Sequence, residues 1–496
     1  MSEEQRAQNR KDAGAAGIYL IGRSVGMALV VVASVLANHL YDQLGFAYVS
    51  AVIIVCETAN ALGSLGLHDA VFYFFGRHPE RAAAIVRQTS ALLLLASIPV
   101  VLAMCGVVLG FFHGTLDLLP AMPWLALVIV IELPTLPAIN QLIAHGHAGV
   151  ASGLYVTFAI LRTAPVLLPA LTGWSLATIP MMMALFGLTR LAAHFVIIRR
   201  VYPLAPGQRW WVRSEMREIF LFALPAGLAA TVGKLMPQID KYSALWLLGP
   251  IVFGIYNVAA FELPLVTLIP YAIGAVMQVR YVRLYASGDT EGLKQLWYQT
   301  TSKTMVLVVP LAIVVIATAP DLIAMLFEPA YARATLPFQI LTVVLLHRVA
   351  AYGPMLQATN QTQLLFTTSL LIVGTNVLLQ FPLTKLFGFT GPALATALSV
   401  VPSWLFTLQR IGHALGGGIR TALPWRFYAR TVAVAAGLGA ILWLVRPYIE
   451  LPAGPRLAVG VVAYAIAFVI VGRLTGVVHR EDTAYLRRAL SFGLLR

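Results

Sequence analysis

Charge and cysteine are the scarce commodities of this chain of 496 residues. Only 11% of its residues are Asp, Glu, Lys or Arg, where a soluble domain carries about 25%. With 59% hydrophobic residues and a mean hydropathy of +0.83, an ordinary water-soluble globule is excluded. Most of the surface must be solvated by lipid, so the chain is an integral membrane protein. Cys56 and Cys105 are its two cysteines, and both lie in apolar stretches. A disulfide framework and a cysteine zinc site are thereby excluded. Also missing are H-E-x-x-H, G-x-S-x-G, a Walker loop and any metal-spaced cluster, so the sequence offers no enzyme motif and no cofactor is expected. Without an ATPase module, energy must come from ion gradients, the membrane potential or the downhill flux of a substrate.

Long apolar runs are what the chain has instead. A membrane span needs roughly 20 such residues, and candidates fall near 15–38, 46–68, 85–111, 122–143, 149–171, 174–198, 218–239, 250–275, 297–319, 336–358, 363–386, 390–411, 427–447 and 456–478. The expected fold is an all-α polytopic membrane protein of about 14 transmembrane helices. Continuous runs argue against a barrel, which needs alternation, and no loop is long enough for a soluble domain. The opening "MSEEQRAQNRKDAG" is mixed in charge, and the span after it exceeds a signal-peptide core of about 7–15 residues. An uncleaved first helix is expected.

Lys and Arg set the expected orientation. With the N-terminus inside, the cytoplasmic segments hold 22 cations, including Arg77, Arg81, Arg87, Arg199, Arg200, Arg209, Arg213 and Arg217, while the opposite side holds Arg333, Arg446 and Arg456. Both termini are then cytoplasmic, and the net charge of +14 is largely topological. Nucleic acid, the rival partner for a basic chain, is not expected, because these charges are scattered over short loops. "RRVYPLAPGQRWWVRSEMRE" (Arg199 to Glu218) reads as an amphipathic interfacial helix on anionic membrane lipids.

That polar stretch separates two sets of six spans, which invites a search for duplication. "HPERAAAIVRQTSALLLLASIP" (from His78) aligns with "DTEGLKQLWYQTTSKTMVLVVP" (from Asp289) through Glu80/Glu291, Gln88/Gln299, Thr89/Thr300 and Pro99/Pro310, an offset of 211. "TGWSLAT" (from Thr172) meets "TGPALAT" (from Thr390) at an offset of 218 with five identities in seven. Six spans per half place both halves in the same orientation, as parallel repeats that typically enclose a site near the midplane. The expected organisation is a six-helix lobe over 1–198, a cytoplasmic linker over 199–217, a second lobe over 218–412, and two further helices with a basic tail over 413–496.

Charges inside spans are the chemistry on offer, because each costs roughly 2.5–3.5 kcal/mol to place in hydrocarbon. Glu57, Glu132, Arg162, Glu262 and Arg348 lie near mid-depth, and Arg23, Arg190 and Lys234 lie within spans nearer a surface. Asp69, Asp240, Lys241, Lys303 and Lys385 read as helix-end residues, where snorkelling suffices. At the offset of 211, Arg23 falls on Lys234, so both halves carry a cation in their first helix. Two readings stand. The acids Glu57, Glu132 and Glu262 can neutralise cations and lock helices together, or the cations can line a wet cavity and bind an anion. Five cations against three acids leave about two positive charges over, which suits a di-anionic ligand such as a pyrophosphate. Pairing suits Arg162 and Arg348 best, and substrate contact suits Arg23 and Lys234. Gly22 and Gly26 flank Arg23 as a small-xxx-small packing face. Prolines at 134, 137, 225, 237, 264, 270 and 310 bend the spans that hold them.

Several stretches resemble polysaccharide-lipid flippases of the Wzx type, members of the multidrug/oligosaccharidyl-lipid/polysaccharide exporter superfamily. They are "IDKYSALWLLGPIVFGIYNVAA" (from Ile239), "RLYASGDTEGLKQL" (from Arg283), "LLHRVAAYGPMLQATNQTQ" (from Leu345) and "LFGFTGPALATALS" (from Leu386), and the likeness spans about residues 10–480. The resemblance implies two six-helix lobes around a cationic central cavity. It implies a substrate of undecaprenyl-pyrophosphate-linked oligosaccharide, moved to the periplasmic leaflet of a bacterial inner membrane by alternating access. Glycan polymerase and chain-length or export proteins are the further partners it implies. Related lipid II flippases place arginines in the first helix, as Arg23 is placed here. Their second helix also carries an arginine, where this chain has Glu57. Drug exporters of the superfamily often use an acid in the first helix, whereas Asp12 lies outside this one. Multidrug export, lipid II transport and, in another class, a membrane-embedded glycan polymerase or glycosyltransferase remain the alternatives. The last would want a sizeable periplasmic loop, and "APDLIAMLFEPAYARATLP" is short and apolar.

Overall fold

The computed structural model describes residues 3–479 other than 113, 115, 262 and 263. Glu262 and the basic tail over 480–496 therefore lie outside the described residues. Among those residues every regular element is a helix. Helices suit a lipid solvent because each satisfies its own backbone polar groups. The chain is thus a polytopic all-α membrane protein. Among the described residues, eleven stretches are long and apolar enough to span a bilayer, or twelve when a bent pair counts as one.

Two compact units gather the chain. The first runs to Gln238 and also takes in Leu245–Gly254. Its helices are α1 (Glu3–Leu40), α2 (Gln43–Ser64), α3 (Leu67–Arg77), α4 (Ala82–Val107), α5 (Met122–Thr135), α6 (Ala138–Ala144), α7 (Ala148–Thr172), α8 (Thr178–Val201) and most of α9 (Arg213–Leu248). The second comprises Ile239–Ala244 and the chain from Ile255 on. It holds α11 (Pro264–Ala286), α12 (Thr290–Leu326), α13 (Thr335–Val343), α14 (Tyr352–Ala358), α15 (Gln363–Phe387), α16 (Gly391–Ala414), α17 (Ile419–Ala422), α18 (Trp425–Val445) and α19 (Ala453–Leu474), and α10 (Pro250–Ala259) precedes them across the boundary. The spanning stretch Gln363–Ala414 is two helices, α15 and α16, and the expected span 250–275 falls on α10 and α11.

Several expected single spans are broken. Between α2 and α3 the backbone turns left-handed at Leu65 (φ 42°) and Gly66 (φ 70°). The expected span 46–68 therefore continues as α3 to Arg77, and Asp69 sits inside the stretch Gln43–Arg77 rather than at its end. Pro137 separates α5 from α6, and Val344–Ala351 separates α13 from α14. Breaks free backbone carbonyls, which must find donors inside the protein. Thr231 donates to Ala61 O, in the last turn of α2, at 3.0 Å, and Asn140 separately ties α6 to the start of α3 by donating to His68 O at 3.0 Å. In the second unit Tyr352 and Tyr428 hydroxyls donate to His347 O (2.9 Å) and Leu346 O (3.0 Å).

Close helix approaches fall at glycines. A Cβ on Gly22 would lie 1.9 Å from Ser152 Oγ, and one on Gly26 2.6 Å from Tyr155, so the small face of α1 receives α7. The residues 202–212 form no helix, contrary to the interfacial helix expected there. Pro203, Pro206 and a left-handed Gly207 (φ 79°) interrupt it. The segment is instead an irregular strap pinned to α4, where Gln88 donates to Trp210 O at 2.8 Å and Arg87 to Tyr202 O at 2.9 Å.

Candidate functional site

A polar stripe runs down α2 and into α3. Glu57, Asn60 and Ser64 follow one another by three and four residues, the spacing of one face of α2, and His68 follows in α3 beyond the break. Four other helices of the first unit meet that stripe. From α7, Arg162 forms an ion pair with Glu57. From α5, Glu132 accepts from Asn60 Nδ2 at 3.0 Å and pairs with Arg190 of α8 at 3.2 Å. From α9, Lys234 donates to Ser64 Oγ at 3.4 Å. From α6, Asn140 donates to Asp69 Oδ1 at 3.0 Å, while His68 stands 3.4 Å from the same carboxylate.

The two ion pairs differ in exposure. The Arg190 and Glu132 side chains are 15% and 10% exposed, and the guanidinium lies 4.8 Å above the Phe158 ring. That pair is a desolvated strut, held by a second hydrogen bond and an aromatic face. Arg162 and Glu57 are 32% and 43% exposed, so this pair is open to whatever fills the neighbouring space. Phe158, Met183, Phe186 and Gly187 wall the crevice between the two arginines.

Arg23 and Lys234 make no ion pair among the described residues. Arg23 is exposed on α1 next to Tyr19, and Lys234 stands within electrostatic reach of Asp69 and Glu57. The structure thus brings Glu57, Glu132, Arg162, Arg190 and Lys234 together, and leaves Arg23 apart from that group. Arg348 lies in the second unit, in the break after Val344–His347, and likewise pairs with no acid among the described residues.

A second polar network lies wholly in the second unit. Asp240, expected at a helix end, is 2% exposed because α9 runs on past it to Leu248. Its Oδ2 accepts from Tyr256 at 2.9 Å and from Thr396 at 3.4 Å. Thr396 in turn accepts from Asn376, whose amide oxygen takes a bond from Gln380 at 2.8 Å. Sequence reasoning missed these groups because all but Asp240 are uncharged and sit on different helices.

No family model matches the chain, and no curated protein sequence matches it. Solved structures do. The structure of the lipid II flippase MurJ in an inward closed conformation superposes with a TM-score of 0.68 and 12% identity, covering 92% of this chain and 98% of that one. A multidrug resistance MATE family transporter of the MOP superfamily, in an inward-facing conformation, gives 0.62 at 14% identity, with 80% and 98% covered. A MOP superfamily transporter from Pyrococcus furiosus gives 0.56 at 13%, with 82% and 96% covered. Over most of its length, this chain has the fold of MOP superfamily membrane transporters.

Proposed function

We propose that the chain is a flippase for an oligosaccharide carried on a polyprenyl pyrophosphate, moved across a bacterial inner membrane by alternating access for surface or exported polysaccharide synthesis. The observation that carries this reading is a surplus of cations in the spans. Arg23 and Lys234 have no acidic ion-pair partner among the described residues, while Arg162 and Arg190 have one each. Unpaired intramembrane cations suit an anionic handle, here the pyrophosphate. The glycan follows a polar route, and the polyprenyl tail stays in lipid. The fold shared with a lipid II flippase over 92% of the chain supports a lipid-linked substrate. Glu57 in the second helix, in place of an arginine, favours a cargo other than lipid II. The MATE-like matches make drug export the rival, but a cationic drug calls for a net acidic site.

Replacing Arg23 and Lys234 together by alanine is expected to abolish surface glycan in the producing strain without lowering the amount of protein in the membrane. Glycan on immunoblots and protein on the same membranes give the two readouts. Normal glycan in the double variant would sink this reading.

A further inference from the structure

Cations at the helix ends of the first unit have partners inside the protein. Arg81 pairs with Glu215, Arg77 donates to the Tyr73 hydroxyl at 2.8 Å, and Arg87 donates to the carbonyls of Ala83 and Tyr202 at 2.7 and 2.9 Å. The second unit differs at the end opposite its α18–α19 turn, where α16 ends, α17 lies, α18 begins and α19 ends. Arg410, Arg420, Arg426 and Arg430 are all exposed there, and none makes an ion pair among the described residues. Between 401 and 479 the one acid in the sequence is Glu450, in the turn at the other end. The start of α12 reaches this corner, since a Cβ on Gly416 would lie 3.4 Å from Thr290. Its acids are already engaged, Asp289 by Gly292 N at 2.8 Å and Glu291 by Lys294 at 3.3 Å.

The corner is held in shape by aromatic side chains. Trp297 Nε1 donates to Ala422 O at 2.8 Å and the Tyr298 hydroxyl to Thr421 O at 2.9 Å, which fixes α17 against α12. Trp425 Nε1 donates to Ile419 O at 2.9 Å, so the residues next in sequence, Arg420 and Arg426, belong to the same corner. Arg426 and Arg430 are four apart on α18, a like-charge pair on one helix face that repels unless an anion joins it. Arg430 also donates to Thr475 O at 3.1 Å, which sets it beside Leu474, 82% exposed at the end of α19.

We propose that this corner binds an anionic phospholipid, with Arg420, Arg426 and Arg430 taking the headgroup phosphate and the exposed Leu474 and Ile419 meeting the acyl chains. Guanidiniums bind phosphate oxygens through paired hydrogen bonds. Cations clustered just outside a span are the footprint of an anionic leaflet surface, and Trp and Tyr mark the same depth. The exposed leucine decides between sources of phosphate, because neither a free phosphate nor an acidic peptide has hydrocarbon to cover it. The two helices that follow the second half thereby acquire a role as the carriers of a lipid anchor. This role is independent of the transported cargo.

The test is native mass spectrometry of the full-length chain in detergent, titrated with phosphatidylglycerol and, separately, with phosphatidylcholine of the same acyl chains. Arg430 is left in place because it holds Thr475. The double variant Arg420→Gln, Arg426→Gln is expected to bind phosphatidylglycerol roughly ten-fold more weakly than the wild type, with phosphatidylcholine unaffected. Arg420→Lys with Arg426→Lys should keep most of the binding. Arg199→Gln with Arg200→Gln, which removes the same charge from exposed positions of α8, should leave it unchanged. An equal loss in the α8 variant, or no loss in the α17–α18 variant while it melts as a folded protein, overturns the site. Displacement of the bound lipid by glycerol 3-phosphate or polyglutamate at the same concentration overturns the choice of a lipid.

Discussion

Asp321 shows what a single charge needs in order to stay buried. It is 1% exposed near the end of α12, and Oδ1 receives Arg456 Nε at 2.7 Å and Arg446 Nη1 at 3.1 Å. Those arginines come from either side of the turn between α18 and α19, so one carboxylate staples both C-terminal helices to the second unit. The same pairing accounts for two of the three arginines that break the positive-inside bias, because each has a structural partner there. Removing the carboxylate leaves two facing guanidiniums. Fully buried pairs broken in this way lose about 3–5 kcal/mol, and a fifth to a quarter of each arginine is exposed here. Asp321→Ala should therefore cost about 2 kcal/mol and lower the melting temperature in detergent. The triple replacement Asp321→Leu, Arg446→Met, Arg456→Met should recover most of that loss, and a melting curve unchanged by Asp321→Ala would deny the staple. At this scale the sequence was legible wherever a charge stood in an apolar run. Glu57, Glu132, Arg162 and Arg190 stand out by desolvation cost alone, but who pairs with whom is a tertiary fact. Asn60, Ser64, His68 and Asn140 carry no charge and passed unnoticed, although "ETANALGS" holds the helical spacing of Glu57, Asn60 and Ser64 in plain view. Asp240 and Lys241 looked like the polar stop of a span, and only the continuation of α9 shows otherwise.

The elements were legible as apolar lengths and opaque as breaks. Hydropathy does not distinguish one span from two half-helices joined by a left-handed residue, since the composition is the same. The break at Leu65 and Gly66 has a tertiary reason in α9. A Cβ on Gly227 would lie 2.0 Å from both the carbonyl carbon and oxygen of Leu65, and one on Gly66 2.7 Å from Gly227 Cα. Backbone meets backbone at that crossing, next to the 48° bend between Arg213–Pro225 and Gly227–Leu248. No side-chain motion can relieve an added methyl there. Gly227→Ala should cost about 1–3 kcal/mol or more through displaced backbone. Gly233, on the same helix, faces nothing within 4 Å. Gly233→Ala should leave stability unchanged or raise it by up to about 1 kcal/mol, the helix-propensity gain. Thermal melts of the two purified variants decide the matter, and equal melts would mean that the crossing is looser than described. The strap over 202–212 was misread for a related reason. Its Trp and Arg residues suit an interfacial helix, but two prolines and a left-handed glycine leave no turn for one to form.

At the scale of the whole molecule, duplication and orientation depend on each other. The aligned segments fall on matching elements, Glu80 and Glu291 just before or within the first turn of α4 and α12, Thr172 and Thr390 at the α7–α8 and α15–α16 junctions. Split spans recur in the same order, α2/α3 and α5/α6 in the first half, α10/α11 and α13/α14 in the second. If each half contains six crossings, every loop has an assigned side, and the cation asymmetry assigns the N-terminus to the cytoplasm. That assignment can be read directly, since only Cys56 and Cys105 need replacing by alanine to give a cysteine-free chain. Ser175→Cys in the α7–α8 loop and Glu450→Cys in the α18–α19 turn should react with a membrane-impermeant maleimide in intact spheroplasts. Ala205→Cys in the strap and Ser287→Cys before α12 should react only after lysis. All four positions are exposed, so accessibility to the reagent depends on the side of the membrane alone. The reverse pattern would invert the protein. A mixed one, with Ala205 and Ser287 on opposite sides, would mean an odd number of crossings between them, and the parallel repeat would then have to be given up.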